Sequence, residues 1–265
     1  MHSTRGLALC VLLRMLHDAS SSGDNNDVTI VTGYWKVSSK HTHSSYDEWF
    51  RTTLAISAPT VVYYSSPEVR EVFEMHRAAA VPPASTTYER VSGPEAFGVT
   101  YGEHWTHAVH VPTDDVGRIW ISKPAMMNRA ANVNVYNTSW FAWVDAGITP
   151  YRHAPPPAER WPREDLLRSL PIDKVIYSGT HDSYHDFAGT AFMYHGSIAA
   201  LVLQRFGETL ERCRSEIDDW RCGNDQYLFT QMREAHPDMF HRIGNGYGAV
   251  VVMLFGRECR DLICD

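Results

Sequence analysis

Val28-Thr29-Ile30-Val31-Thr32-Gly33-Tyr34-Trp35 is the stretch that decides the fold. The five residues before Gly33 are all β-branched and uncharged, which is typical of a buried strand that ends at a loop. A capping box, Ser45-Tyr46-Asp47-Glu48, then predicts a helix that continues to about residue 54. Residues 59–64 predict a second strand, and Ser66-Pro67-Glu68 predicts the start of a second helix. This β-α-β-α order predicts a mostly parallel sheet with helices on its faces.

The same alternation continues toward the end of the chain. Further helices are predicted at 119–133, around Pro124, at 197–213 and at 225–235, and further strands at 140–144, 174–177, 191–194 and 249–254. The elements together predict a single Rossmann-like α/β domain. The polar run at 20–27 has nothing to bury, so we expect a flexible leader over residues 1–27 and the folded domain over 28–265.

Composition restricts the function classes. The 265 residues are 44% hydrophobic, which is enough for a core, and 24 Lys and Arg against 31 Asp and Glu give a net charge of −7. A negative net charge argues against nucleic acid as a partner. Aromatic residues make up 12% of the chain, which suits recognition of sugars and nucleobases but equally suits a bulky core.

The cysteines and the N-terminus bear on the compartment. The five cysteines form no CxxC pair, and their odd number argues against a disulfide framework, so a reducing compartment, the cytoplasm, is predicted. The apolar run at 7–13 is far shorter than the ~20 residues that span a bilayer, so no transmembrane segment is expected. The alternative is the lumen of the secretory pathway, with the N-terminus acting as a signal peptide.

Residues that follow strands are the first candidates for a site, because ligands of open α/β sheets bind beyond the carboxyl ends of the strands. Thr32, Gly33 and Tyr34 end the first strand, and Tyr64 ends the neighbouring strand, where its ring is a candidate stacking wall for a nucleobase. Asp145 follows an apolar strand and is a candidate ligand for a divalent cation or a ribose hydroxyl. Its other interpretation is a cap for the turn at residues 145–147.

Six segments, in this order, resemble the HtrL/YibB-like family. They are Thr29-Ile30-Val31-Thr32-Gly33-Tyr34-Trp35, Tyr46-Asp47-Glu48-Trp49-Phe50, Ala58-Pro59-Thr60-Val61-Val62-Tyr63-Tyr64, Trp143-Val144-Asp145-Ala146-Gly147-Ile148, Ala188-Gly189-Thr190-Ala191-Phe192 and Asn224-Asp225-Gln226. The resemblance spans about residues 28 to 240. That family is grouped with nucleotide-sugar glycosyltransferases of the GT-A fold, so the resemblance implies a GT-A-like domain, a UDP- or GDP-sugar donor and a glycan or glycoconjugate acceptor.

The resemblance also implies roles for these segments. The end of the first strand would contact the nucleobase and ribose, and an Asp-x-Asp motif would bind Mn²⁺ or Mg²⁺ with the sugar nucleotide. This chain has Asp145-Ala146-Gly147 at that place, so the last carboxylate is missing. We favour metal binding by Asp145, completed by a histidine and the diphosphate. The alternative is a metal-free enzyme in which Lys123, Arg129 or Arg152 faces the leaving group.

Asp225 is the predicted general base. At the start of a helix, the dipole and free backbone N–H groups keep a carboxylate ionised, and an ionised carboxylate can accept the proton of an acceptor hydroxyl. The alternative is a simple capping acid beside Asn224. The segment around Gly189 is expected to bring backbone close to the donor sugar or the acceptor, and Gln226 is expected to bind substrate. The other interpretation of Gly189 is a bend in a strand.

Two further function classes compete with sugar transfer. Histidines at 41 and 43, at 104, 107 and 110, and the pairs His181-Asp182 and His185-Asp186 have spacings that suit a metal-dependent phosphohydrolase, although none completes a known signature. A non-catalytic sugar-binding protein on a GT-A fold would explain the missing carboxylate at Gly147. The glycine run at 244–248 is interpreted as a turn before a strand, not as a phosphate-binding loop.

Overall fold

Seven strands of the computed structural model, which describes residues 27–182, 184–259 and 264, form a single sheet. The strands are β1 (Val28–Tyr34), β2 (Thr60–Tyr64), β3 (Thr86–Arg90), β4 (Trp140–Val144), β5 (Val175–Gly179), β6 (Phe187–His195) and β7 (Phe240–Asn245). Their spatial order is β3-β2-β1-β4-β6-β5-β7. Only β6 runs antiparallel to its neighbours, β4 and β5, whereas the other four pairings are parallel. The prediction of a mostly parallel sheet is therefore confirmed.

Helices cover both faces of this sheet. They are α1 (His43–Thr53), α2 (Pro67–Arg77), α3 (Asp114–Ile121), α4 (Lys123–Val133), α5 (Glu164–Arg168), α6 (Ala199–Glu216), α7 (Asp225–Ala235) and α8 (Ala249–Leu254). Side chains alternate along each strand, and in the central strands both sets are buried: Phe141 of β4 packs with α4, α6 and α7, whereas Ala142 packs with α5 and α8. Burial on both faces explains why the strands are continuous apolar runs.

Local signals placed several element ends correctly. Asn224 caps α7 by accepting a hydrogen bond from the Tyr227 backbone N–H, and Ser66 precedes α2 with Pro67 at its first position, as predicted. The start of α1 was predicted too late, because the N-cap is Thr42 rather than Ser45. The single helix predicted around Pro124 is two helices, α3 and α4, because the proline lies in the first turn of the second.

The strand predicted at 249–254 is wrong, since these residues form α8. A short, fully buried apolar run has no period that separates strand from helix. The last strand is instead β7, whose residues are mostly half-exposed and give a weak apolar signal. The glycine run at 244–248 therefore joins a strand to a helix, contrary to the prediction that it precedes a strand.

Two disulfides contradict the prediction that the cysteines stay reduced. Cys213, in the last turn of α6, is bonded to Cys222, and Cys259 is bonded to Cys264. Residue 10 and the other residues of the predicted leader before residue 27 lie outside the described residues. Separations of nine and five residues match no recognised cysteine motif, so the sequence gave no sign of these pairs. No helix within the described ranges is long and apolar enough to cross a membrane.

Candidate active site

A cleft opens where three strands of the sheet meet. β1 and β4 are parallel and end there, whereas the antiparallel β6 begins there, so the backbone N–H of Asp145 after β4 donates to the carbonyl of Thr190 in β6. The volume of the cleft is about 400 Å³, within the ~300–1,000 Å³ typical of small-molecule sites. Aromatic and charged side chains line it together, among them Tyr34, Lys40, Tyr46, Trp120, Lys123, Asp145, Arg152, Asp225 and Tyr247.

Lys123 lies at the centre of the cleft floor. Its Nζ is 2.9 Å from Asp225 Oδ2 and 3.2 Å from Asp145 Oδ1, and it donates to the carbonyl of Gly189 at 2.8 Å. An ammonium group has three N–H donors, and these three acceptors match them in number. The centroid of the Trp143 ring is 5.4 Å from Nζ, within cation–π distance. Four elements, α4, α7, β4 and β6, therefore meet at one charge.

Burial and the neighbouring charges oppose each other at this group. Burial alone would lower the pKa of Lys123, but the carboxylates of Asp145 and Asp225 outweigh it and raise that pKa above its usual value. Burial raises the pKa of Asp225, and the Lys123 ammonium offsets the rise only in part. Lys123 is 2% exposed and Asp225 is 2% exposed, so water screens neither charge effectively.

Asp145 is the more accessible of the two carboxylates. Its Oδ1 accepts a 2.6 Å hydrogen bond from the indole N–H of Trp143, in addition to the contact with Lys123. About a third of the side chain, 31%, remains exposed. This carboxylate is therefore held in place by its own strand and can still accept a hydrogen bond from a ligand hydroxyl.

Gly189 is required at its position by the two residues that begin α7. A Cβ added there would lie 2.7 Å from Asp225 Oδ2 and 2.8 Å from Gln226 Cγ. Real Cβ atoms do not approach other atoms so closely, so a side chain would displace Asp225. The absence of a side chain at Gly189 thus lets β6 and α7 approach closely enough for Lys123 to reach both.

Three buried polar atoms of the cleft have no hydrogen-bond partner among the described residues. One is Asp225 Oδ2, which forms an ion pair with Lys123 instead. The other two are the hydroxyl Oγ1 of Thr190 and the amide Oε1 of Gln226. Buried polar atoms are nearly always hydrogen-bonded, because an unpaired one loses its contact with water without compensation. These two atoms are therefore candidate partners for a polar ligand.

Two further cations line the cleft. Arg152 lies 3.9 Å from the centre of the Trp49 ring and donates to the carbonyl of Gly147 at 2.9 Å. Lys40 lies 5.5 Å from the centre of the Trp120 ring. Burial lowers the pKa of both cations, although nearby carboxylates oppose the effect. An anionic ligand would compensate for this burial.

The structure brings together most of the residues predicted for the site. Gly33, Tyr34, Lys123, Asp145, Gly189, Asp225 and Gln226 all line the cleft. The structure does not bring Thr32 and Tyr64 there: Thr32 lines a small cavity with Thr53, and Tyr64 packs against Phe73. Both side chains lie against residues of α1 and α2.

Arg129 is also outside the cleft. Its guanidinium pairs with Glu89 and lies 5.9 Å from the Phe97 ring centroid. Lys40, Trp120 and Tyr247 are cleft residues that the sequence analysis missed. Trp120 and Tyr247 lie far along the chain from the candidate strand ends, in α3 and in the loop after β7. Lys40 lies in the loop after β1, and its position there was the one usable signal.

The histidine-rich segments make other contacts. Asp186 pairs with Arg233 and Arg242, and His104 contacts Asp218. Nowhere in residues 27–182, 184–259 and 264 do three His, Cys, Asp or Glu side chains form a group that could hold a metal ion. The described residues thus provide no metal centre for the phosphohydrolase alternative.

The cleft floor is the other place where the Mn²⁺ or Mg²⁺ that the resemblance implies would be held. These ions prefer several oxygen ligands, near six for Mg²⁺. The floor offers two carboxylates, and the Lys123 ammonium already lies between them. A cation placed there would meet another cation, so the residues present do not fit a divalent metal ion.

Comparisons with known proteins give a fold-level similarity only. No protein-family model matches the chain, and no curated protein matches its sequence. The apo form of mouse xyloside xylosyltransferase 1 is 10% identical over 82% of this chain and 84% of its own, with a TM-score of 0.46. The glycosyltransferase GlyE of Streptococcus pneumoniae TIGR4 is 6% identical over 83% of this chain but only 45% of its own, with a TM-score of 0.44. No cleft residue takes a role from such distant structures, and the resemblance to the HtrL/YibB-like family stays a prediction.

Proposed function

We propose that this protein transfers a sugar from a nucleotide-diphosphate donor to a hydroxyl group of a glycan or another acceptor. The observation that carries the proposal is the charge arrangement of the cleft, at the strand ends where open α/β sheets bind ligands. Lys123, Lys40 and Arg152 face Asp145 and Asp225. Three cations against two carboxylates leave one net positive charge, which suits a diphosphate.

The base and ribose of the donor fit the end of β1. Gly33 has no side chain to cover the backbone there. A Cβ at this position would lie 2.8 Å from the Trp35 ring, so the structure leaves no room for one. The rings of Tyr34 and Tyr46, 5.2 Å apart, form an aromatic wall beside it. Flat bases pack favourably on such rings. We therefore propose UDP- and GDP-sugars as the donors to test.

The sugar of the donor would lie over the junction of β6 and α7. Thr190 Oγ1 and Gln226 Oε1 are buried and lack partners among the described residues, and Asp145 keeps part of its carboxylate accessible. Sugar hydroxyls both donate and accept hydrogen bonds, so they would satisfy all three groups. This supports the assignment of Gly189 and Gln226 to substrate binding.

In the proposed reaction, the acceptor oxygen forms a bond to the anomeric carbon while the bond from that carbon to the diphosphate oxygen breaks. The electron pair leaves with the diphosphate, where Lys40 and Arg152 face the new charge. The acceptor proton goes to Asp225, whose raised pKa suits a general base. Lys123 holds that carboxylate in place. If Asp225 is instead a capping acid at the start of α7, the leaving diphosphate accepts the proton of the acceptor.

Nucleotide binding tests the proposal. We expect UDP or GDP, but not CMP, to raise the melting temperature, since a ligand that binds only the native state stabilises it. Turnover of the matching sugar nucleotide with a hydroxyl acceptor would complete the test. Absence of any shift would contradict the proposal. Binding without turnover would favour the non-catalytic sugar-binding protein, and hydrolysis of a phosphate ester would favour the phosphohydrolase.

We also propose that the protein works in an oxidising compartment, such as the secretory lumen, rather than in the cytoplasm. The two disulfides support this, because such bonds persist where the glutathione system does not reduce them. Thiol alkylation of the protein from its own cells, followed by mass spectrometry, tests it. Unlabelled Cys213 and Cys222 are expected, whereas labelled ones would favour the cytoplasm.

A further inference from the structure

The Lys123 ammonium lies between the two carboxylates that the cleft floor could offer to a divalent cation. It contacts the two carboxylates of the floor, Asp145 and Asp225, at 3.2 and 2.9 Å. Its third acceptor is the carbonyl of Gly189. The ammonium therefore makes the contacts with oxygen that a bound metal ion would make with the same residues.

The surroundings hold this ammonium rigidly. The Lys123 side chain is 3% exposed, and the Trp143 ring packs beside Nζ. The indole N–H of Trp143 binds the same oxygen, Oδ1 of Asp145, that contacts Lys123. Asp225 is held from its other side, since its Oδ1 accepts from the backbone N–H of Gln226 at 3.0 Å. A metal ion would have to break several of these contacts to enter.

We propose that Lys123 is the built-in counter-ion of the cleft, so that Mn²⁺ and Mg²⁺ are not needed for nucleotide-diphosphate binding. Lys123 acts as a positioning residue: its own donors are used by the protein, and its charge offsets one of the two floor carboxylates. Lys40 and Arg152 then outweigh the remaining carboxylate by one positive charge, and they are the cations left to face the diphosphate. The nucleotide part of this inference rests on the proposed function, whereas the exclusion of metal does not.

Metal binding can be measured without any nucleotide. Titration of Mn²⁺ followed by electron paramagnetic resonance reports bound metal directly, because the signal of the free ion decreases on binding. We expect no binding to the wild-type cleft at submillimolar Mn²⁺. Lys123→Met removes the charge but keeps a long side chain, and it should bind Mn²⁺ at least tenfold more tightly than the wild type does. Lys174→Met, on the surface, is the matched control and should behave as the wild type.

A wild-type site that binds Mn²⁺ and loses it in Asp145→Asn would overturn the inference. So would a folded Lys123→Met that gains no affinity for Mn²⁺. Should Lys123→Met fail to fold, the wild-type titration and the Asp145→Asn comparison still decide the matter, since neither uses that variant.

Nucleotide binding separates this inference from the proposed function. Calorimetry with UDP and GDP should give the same dissociation constant, within twofold, in EDTA and in Mn²⁺. Binding that strengthens tenfold or more with Mn²⁺ would overturn the inference while the proposed function stands. No binding under either condition would remove the proposed function, and the Mn²⁺ titration would still decide whether Lys123 excludes metal.

Discussion

The buried, unpaired hydroxyl of Thr190 destabilises the free protein, and we expect a bound ligand to supply the missing hydrogen bond. Its buried hydroxyl has no partner among the described residues, and replacement by a methyl group of the same shape removes an unsatisfied polar atom. We expect Thr190→Val to raise the free energy of unfolding by up to about 1 kcal/mol. Donor binding should weaken by roughly fivefold to tenfold, the equivalent of one hydrogen bond.

Denaturant titration and calorimetry with the donor would measure the two effects separately. Thr209→Val is the matched control, because Thr209 is buried in α6 and its hydroxyl bonds only the Arg205 carbonyl of the same helix. It should leave donor binding unchanged. Equal donor affinity in wild type and Thr190→Val would remove Thr190 from the sugar site.

Asp225 is expected to act on the rate rather than on donor binding. Asp225→Asn keeps the shape of the side chain but cannot accept the proton, so kcat should fall by ~10²–10⁴-fold. The dissociation constant of the donor should stay within a few-fold of the wild-type value, because the change affects the acceptor side. Single-turnover rates and donor titrations measure the two quantities, and an unchanged rate would make Asp225 a structural residue of the α7 start.

The pH dependence of the same residue follows from its environment. Lys123, Lys40, Asp145 and Tyr247 are the titratable groups that interact with Asp225. Burial raises its pKa above the ordinary 3.8, and the base must be ionised to work. The kcat profile of the wild type should therefore fall with decreasing pH at a midpoint above 3.8. The profile of Asp225→Asn should lack this limb; a limb at the same midpoint in both would assign it to another group.

At the scale of elements, the N-cap of α7 connects stability to the site. Asn224 accepts a hydrogen bond from the Tyr227 backbone N–H at 3.0 Å, and Asn224→Ala should cost about 1 kcal/mol of stability. Because Asp225 is the next residue, turnover should fall as well. Thermal unfolding and initial rates of wild type and Asn224→Ala test this, and an unchanged rate in the destabilised variant would separate the cap from the site.

The elements also show what the sequence could predict. Strands β1, β2 and β4 were found because both of their faces are buried, which gives unbroken apolar runs. β3 and β7 were missed because their residues are half-exposed and polar. The antiparallel direction of β6 left no local signal, yet it is what brings Gly189 and Thr190 beside Asp145.

Candidate site residues were predictable where they follow strands and not where they depend on the whole fold. Asp145 and Tyr34 follow from the rule about strand ends. The contact of Lys123 with Asp225 joins residues 102 positions apart through two helix starts, and no spacing in the sequence encodes it. The cysteine pairs were mispredicted for a different reason: separations of nine and five residues match no recognised disulfide or metal motif, although both pairs are close in the sequence.

At the scale of the whole molecule, the bond between Cys213 and Cys222 should contribute to the stability of the entire domain. It closes a short loop, with a sequence separation of nine, and loss of such a constraint costs about 2–3 kcal/mol. The double variant Cys213→Ser, Cys222→Ser should unfold at correspondingly lower denaturant concentration. Addition of a reductant should lower the stability of the wild type toward that of the double variant. If the reductant lowers the stability of the double variant by the same amount, the effect comes from the disulfide between Cys259 and Cys264.

The same bond has a practical consequence for anyone who screens this protein for activity. Cys222 lies two residues before Asn224, so the bond anchors the segment that leads into α7. Protein produced in a bacterial cytosol and stored in dithiothreitol would lack this anchor before the first substrate is added. A negative result on such a sample would reflect reduction of the disulfide and not the specificity of the protein. The substrate panel should therefore first be run on oxidised protein whose free thiols have been counted.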